Sequence, residues 1–392
     1  MQIIYTQAAK LGGSGIGSIA YQFIRAIAQS GSLKKAIVAY SGDHDLPDRQ
    51  VQSFPWMRVV ARLARDNHPV RDSIFDWAAS RYIGECDIFH GWSHQCLYSL
   101  RRARQQGAIT CLERPNSHDN NAQRLVQEEY DRWGFREHTA VRPLGLRRGL
   151  AEYAIADHFI VPSVFVHDSF LAEGVDQSRL HLVPYGVDIE HFIPPNATPP
   201  RDRFILLFVG QVNLRKGVPY LLQAWDQLNL PKAELWMAGR VSPDAREFVT
   251  DYLNHKSIRF LGHTHDTRSL YQQASAFVLP SIEEGSALVT YEAMATALPI
   301  IYTYNTGAIA RPNMEGLQVP IREVDALAAA IERLYTDAEL CRSLGQSGRK
   351  RVESYTWRHA GAKLLAAYRT ILQRHGRIDS GEIPQPAPPL HQ

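Results

Sequence analysis

Two glutamates, Glu284 and Glu292, bracket the segment Gly285-Ser286-Ala287-Leu288-Val289-Thr290-Tyr291, directly after the apolar run Ala276-Phe277-Val278-Leu279 and the stop Pro280-Ser281. The run reads as a strand and Leu288 to Ala297 as a helix, with Ser286 as its N-cap. The first amides of such a helix have no partner inside it, so they face back into the loop and favour an anion such as phosphate. Glu292 lies ~9 Å beyond Ser286 along the helix at ~1.5 Å per residue, while Glu284 stays in the loop at its mouth. The two carboxylates would then flank a bound anion. Taken alone, the same residues also fit a turn and a helix carrying two solvated glutamates.

A second constellation follows the continuous apolar run Phe204 to Gly210, the kind of strand buried on both faces of a parallel sheet. It reads Gln211-Val212-Asn213-Leu214-Arg215-Lys216-Gly217, with Pro219 suited to the first turn of the next helix. Arg215 and Lys216 thus sit at the carboxyl end of a buried strand, where open α/β sheets bind ligands, and two adjacent cations suit a diphosphate. Cations at a helix start oppose its dipole unless an anion is present, so this local conflict favours a ligand over a solvated pair. Near the other end of the chain, Lys10-Leu11-Gly12-Gly13-Ser14-Gly15-Ile16-Gly17 separates a strand from a helix. Glycines such as Gly13, Gly15 and Gly17 let backbone approach a ligand closely. The dinucleotide spacing fails at Ser18 or Ser14, and the Gly-Lys-Ser/Thr ending of a phosphate loop is missing. A generic anion or sugar loop and a flexible turn both remain open.

His90, His94 and His118 lie near the carboxyl ends of first-half strands, and the loop position of His118 makes it the most suggestive of the three. Asp43-His44-Asp45 has the form of an acidic metal motif but falls in a polar loop far in sequence from the basic pair, and reads as a surface turn. The four cysteines, Cys86, Cys96, Cys111 and Cys341, lack metal-ligand spacing and read as reduced thiols. No metal and no cofactor are expected.

The elements that must hold these groups alternate between short β-rich runs and helical stretches, which predicts parallel sheets covered by helices on both faces. Expected strands are Ile3 to Tyr5, Ala36 to Tyr40, Arg58 to Val60, Asp87 to His90, Ile109 to Leu112 and His158 to Val161, then Phe204 to Gly210, Ala233 to Ala238, Ile258 to Leu261, Ala276 to Leu279 and Pro299 to Tyr302. Helices are expected over Ser18 to Gln29, Asp72 to Ile83, Gln95 to Gln106, Asp325 to Tyr335 and Trp357 to Arg374. At 392 residues two domains are the prior. The proline-rich stretch from Ile193 to Pro200 marks the linker, giving domains 1–190 and 204–356 around a linker 191–203, a C-terminal helix 357–375 packing back toward the first domain, and a disordered tail 376–392. A net charge of +3 is too small to argue for nucleic acid. From Arg101 to Arg148 there are ten arginines and six acids, an excess of 10 − 6 = +4. That span suggests an anionic or lipid-linked partner, or peripheral contact with the inner face of a membrane, against the plainer reading of a solvated surface. No run is apolar for the ~18 residues a membrane span needs, and a cytoplasmic protein is expected.

Together these pieces resemble the retaining glycosyltransferases of family 4, whose GT-B fold has two Rossmann-like domains with parallel sheets facing a central cleft. The resemblance runs through Val209-Gly210, Arg215-Lys216-Gly217, Phe260-Leu261-Gly262, Pro280-Ser281, Glu284 to Glu292-Ala293-Met294-Ala295, Pro299-Ile300-Ile301, Gly307, Val319-Pro320 and Trp357, and also touches Val183 to Asp188. It implies a nucleotide-diphosphate sugar donor whose diphosphate is held by Arg215, Lys216 and the amides around Leu288, with Gly210, Ser286 and Ala287 lining the same place. It implies that Glu292 binds the ribose hydroxyls, that Glu284 holds the donor sugar or stabilises positive charge at its anomeric carbon, and that His118 contacts the sugar. Gly13 through Gly17 would close over the phosphates and an acceptor hydroxyl. The sequence departs from the family at Ser286 and Ala287, at Ala297 before Pro299, and at Arg240 after Gly239. An epimerase or phosphorylase on the same fold, or a sugar-nucleotide sensor, are the competing readings; a phosphorylase would need a pyridoxal phosphate lysine, and Lys216, Lys232 and Lys256 lack that context.

Overall fold

A computed structural model describes residues 1–13, 15–64, 68–135, 143–195 and 203–378. Strands β1 (Ile3–Lys10), β2 (Leu33–Tyr40), β3 (Val51–Ser53), β4 (Ile88–Trp92), β5 (Ile109–Glu113), β6 (His158–Val161) and β7 (Leu180–Leu182) form a seven-stranded sheet of order β3-β2-β1-β4-β5-β6-β7. Strands β8 (Phe204–Val209), β9 (Ala233–Ala238), β10 (Ile258–Gly262), β11 (Ala276–Leu279), β12 (Ile300–Thr303) and β13 (Gly316–Val319) form a six-stranded sheet of order β10-β9-β8-β11-β12-β13. Pairing is parallel, with Leu207 opposite Trp236 on one side and Phe277 on the other. The chain is therefore α/β with two domains of parallel sheet. Helices fill the crossovers, as parallel connections require.

The central strands of the second sheet are β8 and β11, both wholly buried and built almost entirely from Phe, Ile, Leu and Val. Strand order reverses between them, and the loops at such a switch point are where open α/β sheets bind ligands. Those loops are Gly210 to Gly217 and Pro280 to Ala287, which carry the basic pair and Glu284.

The described residues fall into two compact units. One holds Met1–Leu112, Ile155–His158 and the chain from Gly361; the other holds Glu113–Ala154 and Phe159–Ala360. The expected linker lies outside the described residues at 196–202, and the expected tail at 379–392. The last helix, Trp357–Arg374, has the bounds expected, and within the first unit Tyr368 Oη meets His90 Nδ1 at 2.6 Å.

One expected strand is wrong. Arg58 to Val60 lies in the helix Met57–Ala64, whose entry is fixed by turn bonds from the amides of Met57, Arg58 and Val59 to the carbonyls of Phe54, Pro55 and Trp56. The β-branched pair Val59-Val60 suggested a strand, but helix propensity differs little for two valines and the turn after Pro55 decides. Strands β3, β7 and β13 went unforeseen because runs of three or four mixed residues carry too little periodicity.

Candidate functional site

The basic pair is aimed by its own turn. Gly217 caps the helix Val218–Leu228 at φ 69°, and a Cβ there would collide with the carbonyl of Pro280, so the loop after β8 lies directly against the loop after β11. Asn213 Oδ1 accepts the Lys216 amide at 3.0 Å, and Ile282 donates its amide to the Arg215 carbonyl at 2.9 Å. Arg215 Nη1 donates to the Glu283 carbonyl at 2.9 Å and reaches Glu284 Oε2 at 3.2 Å and Glu283 Oε2 at 3.4 Å. Lys216 Nζ donates to Glu284 Oε2. Gly210 stands beside this lysine: a Cβ on it would make an ordinary 3.7 Å contact with Lys216 Cε, and it is the backbone conformation, at φ 149°, that favours glycine there.

Charge in this cluster follows from burial and pairing together. Burial alone would push the Glu284 carboxyl up, but Arg215 and Lys216 overturn it and hold the group down at about 2, so it is ionised. Burial lowers Lys216 from the usual lysine range, with Glu284 opposing. Burial raises Glu283, with Arg215 opposing and the neighbouring Glu284 charge adding to the rise. The helix-start cations foreseen as needing an anion are thus met by two carboxylates of the protein itself.

Glu283 escaped the sequence reading altogether. Its side chain is buried, and Oε1 accepts from Ser117 N at 3.2 Å and Ser117 Oγ at 2.9 Å, while Asn116 Nδ2 lies 3.4 Å from Oε2. The contact is close enough that a Cβ on Gly285 would run into the carbonyl of Pro115, and one on Gly307 into the carbonyl of Gly285. Ser163 Oγ donates to that same Gly285 carbonyl at 2.5 Å. His118 follows Ser117 directly and caps the helix Asp119–Arg132: its Nδ1 accepts from the Asn120 amide at 3.3 Å, and its own amide donates to Ser169 Oγ at 2.8 Å. The ring is packed by Tyr153 and Phe170. Burial lowers its pKa against the pull of Glu173 and Asp119, so the neutral ring with its proton on Nε2 fits these contacts.

The helix after β11 runs over Leu288–Ala295, and its cap corrects one expectation. Ala287 rather than Ser286 occupies the N-cap, with no side-chain cap bond. The Ser286 hydroxyl is taken by Tyr291 Oη at 3.0 Å, and Thr290 Oγ1 donates to the Ala287 carbonyl at 2.7 Å. The helix start still presents the amides of Leu288 and Val289 with no partner inside the helix. Glu292 sits on the same helix, accepting from Tyr271 Oη at 2.9 Å; burial raises its pKa and that hydrogen bond partly offsets the rise.

Arg215, Lys216, Gly210, Glu284, Ser286, Ala287 and Leu288 therefore come together on two adjoining loops, with Ser117 and His118 beside them and Glu292 bonded to Tyr271. The glycine loop belongs to the other unit, where Gly12 and Gly15 have φ of 69° and 60° and a Cβ on Gly17 would strike the Lys10 carbonyl. Ser14 lies outside the described residues. His90 is a core residue, stacked on Tyr5 at 4.3 Å. His94 adopts φ 70° in the turn after β4. Asp45 is held by Arg25 and Tyr21, as suits a surface turn. Within the arginine-rich span Arg114 pairs with Asp119 and Arg148 with Glu152 inside the protein, and Glu113 and Glu129 are buried as well, so burial takes acids as well as arginines from its surface; Arg136, Glu137 and Arg142 lie outside the described residues.

Two parallel sheets, each with its first strand at a switch point, and a cation–carboxylate cluster at one such point define an α/β protein of nucleotide-binding architecture. Sequence models of two families match the chain, Glycosyltransferase Family 4 over residues 13–191 and Glycosyl transferases group 1 over residues 203–337. The MMP alpha-(1->4)-mannosyltransferase of Mycolicibacterium hassiacum is 30% identical over 309 residues, which cover 74% of this chain and 72% of that protein. Other curated relatives match over 47%, 64% and 41% of their lengths, so the chain spans about half of them. Among solved structures, sucrose-phosphate synthase from Thermosynechococcus elongatus superposes with a TM-score of 0.69 at 22% identity, covering 95% of this chain and 100% of that one. HepE of Anabaena in complex with UDP-glucose superposes with a TM-score of 0.65 at 15% identity, covering 94% and 100%. The chain belongs to the glycosyltransferases of the GT-B fold. Among the described residues, no helix is long and apolar enough to cross a membrane.

Proposed function

We propose that the protein is a retaining, metal-independent glycosyltransferase of family 4 that moves a hexosyl group from a nucleotide-diphosphate sugar to a hydroxyl acceptor in the cytoplasm. The observation that carries this reading is the cluster of Arg215, Lys216, Glu283 and Glu284 where β8 and β11 diverge. HepE, of the same fold, binds UDP-glucose, which supports a nucleotide sugar as donor.

In this mechanism the diphosphate takes the cations. Lys216 turns from carboxylate to phosphate oxygens, Arg215 adds its charge while staying beside Glu284, and the amides of Leu288 and Val289 share the charge from the helix start. Fixed cations and amides stabilise the leaving diphosphate as the sugar–oxygen bond breaks, without reorganisation at the moment of reaction. Glu284, released from the lysine but kept ionised by Arg215, stabilises positive charge at the anomeric carbon. His118 donates from Nε2 to a sugar hydroxyl, and Glu292 accepts from the ribose. The acceptor hydroxyl attacks on the face the diphosphate leaves, and a phosphate oxygen takes its proton. The N-terminal domain, with Gly13, Gly15 and Gly17, binds the acceptor.

Incubation with a panel of nucleotide sugars, monitored for nucleotide diphosphate, tests the reading. Wild-type protein releases the diphosphate with at least one donor, whereas Lys216→Ala loses ~100- to 1,000-fold in turnover while keeping its fold, the usual cost of removing one transition-state contact. Full activity in Lys216→Ala refutes the assignment. Donor binding without release by the wild type points instead to a sensor.

A further inference from the structure

We infer, resting on the function proposed above, that Glu129 and Arg322 are positioning residues: they hold the helix Asp119–Arg132 so that His118, at its start, keeps its place beside the donor cluster. Glu129 lies ~16 Å beyond His118 along this helix at ~1.5 Å per residue, and its side chain is fully buried. Both carboxylate oxygens are taken. Arg322 Nε donates to Oε1, and Tyr220 Oη donates to Oε2 at 2.8 Å. Arg322 also donates from Nη1 to Glu128 Oε2 at 2.9 Å and from Nη2 to the Leu125 carbonyl at 3.2 Å, so one guanidinium grips three residues on one face of the helix. All of these residues belong to the unit that holds the donor cluster.

The partners of Glu129 tie this node to the site. Tyr220 sits on the first turn of the helix Val218–Leu228, one turn beyond Lys216, and its ring meets Trp133 edge-on at 6.0 Å where the His118 helix ends. Glu129 therefore joins the helix that begins at His118 to the helix that begins at the basic pair. Next to it, burial raises the Tyr130 phenol, with Asp244 adding to the rise and the Arg215 charge opposing it, so the His118 helix runs past the basic pair. Arg322 stands between β13 and the helix Val324–Thr336 at φ 68°, where a residue with a Cβ is strained. Such strain persists only where the surroundings impose it, and the three contacts of the guanidinium do so. A buried ion pair adds little stability over apolar packing, but the arginine fork admits few arrangements and so fixes geometry. At the other end, Ser117 bonds Glu283 and the His118 ring packs on Tyr153 and Phe170. Contacts at that end alone would leave the helix free to pivot, whereas a grip ~16 Å away resists tilting.

The test compares Glu129→Gln, Arg322→Gln and Arg322→Lys with the wild type, each first checked for cooperative unfolding; Arg322→Lys keeps the charge and carries the test if the others do not fold. Binding of the nucleoside diphosphate alone, by calorimetry, should change less than ~3-fold, because Arg215, Lys216 and the amides of Leu288 and Val289 are untouched. The kcat for diphosphate release should fall ~30- to 100-fold in Glu129→Gln and Arg322→Gln, the cost of a small misplacement near the reacting sugar, and by less in Arg322→Lys, which keeps only part of the fork. On a His118→Ala background the same substitutions should cost less than ~3-fold, since a residue that acts through His118 then has nothing to position. Losses that multiply independently, or a kcat per folded molecule at the wild-type value, overturn the positioning role. A second readout needs no turnover. The His118 ring resonances, assigned by their disappearance in His118→Ala, should shift in Arg322→Gln and Arg322→Lys, and unshifted resonances overturn the role whether or not a donor reacts. Shifted resonances in a protein whose wild type releases no diphosphate refute the proposed transfer and uphold the positioning of His118.

Discussion

Replacing Glu284 by glutamine separates its electrostatic part in holding the site together from its part in chemistry. The carboxyl sits at about 2 against an ordinary 4.5, a difference of 2.5 pH units. At 1.36 kcal/mol per unit, the ionised form is favoured in the folded protein by about 3 kcal/mol. A depressed carboxyl contributes stability that is fully present above the unfolded value and is lost as pH falls through the folded one. The advantage of the glutamate over the glutamine variant should therefore be about 3 kcal/mol at pH 7, about 1 kcal/mol at pH 3 and close to zero below pH 2. The side chain is only 15% exposed, so solvent screening removes little of this. Urea unfolding of both proteins at pH 7 and pH 3, followed by tryptophan fluorescence, reads the difference directly. Diphosphate release by the folded variant should fall by ~100-fold or more. A stability gap below about 0.5 kcal/mol at pH 7, or one that is the same at pH 3, refutes the claim that Arg215 and Lys216 depress this carboxyl, because a charge-independent packing effect would not titrate.

The other glutamate should behave in the opposite sense. Burial raises Glu292, so the folded protein favours its protonated form and gains stability as pH falls; Glu292→Gln should be the more stable protein at pH 7 in urea titrations, yet bind the donor about tenfold more weakly for loss of a charged hydrogen bond to ribose. Gly285→Ala places a methyl group on the Pro115 carbonyl and should cost about 1–3 kcal/mol, measured by thermal or chemical unfolding. Ala297 adopts φ 59°, where glycine pays no steric penalty, so Ala297→Gly should raise stability by about 0.5–1 kcal/mol, visible as a higher melting temperature.

What the sequence made legible was local. The apolar runs that became β8, β9 and β11 could be placed to within a residue, and with them the loops that carry Arg215, Lys216 and Glu284. The departure at Ala297 was also readable, and the structure shows why glycine suits that position. What stayed hidden depends on contacts distant in the chain. Glu283 touches Ser117 across 166 positions, and nothing in a Glu-Glu doublet tells which member faces the cations alone and which also bonds a serine from another segment. Ser286 shows the limit of propensity. Serine is a preferred N-cap, but its hydroxyl finds Tyr291 and the cap passes to Ala287. The arginine count from Arg101 to Arg148 could not say which charges turn inward: Arg114 and Arg148 do, and so do Glu113, Asp119 and Glu129.

The backbone stacking of Pro115, Gly285 and Gly307 bears on redesign of the protein. Three chain segments touch there with no side chain between them, and Ser163 closes the stack from the fourth direction. A mutagenesis library across this loop would lose most of its members at positions 285 and 307 to misfolding rather than to altered selectivity. Variation is better directed to Ser286 and Ala287, where side chains exist to be exchanged. Tyr291 should be varied with Ser286, since each hydroxyl satisfies the other and changing one alone leaves a buried oxygen without its partner.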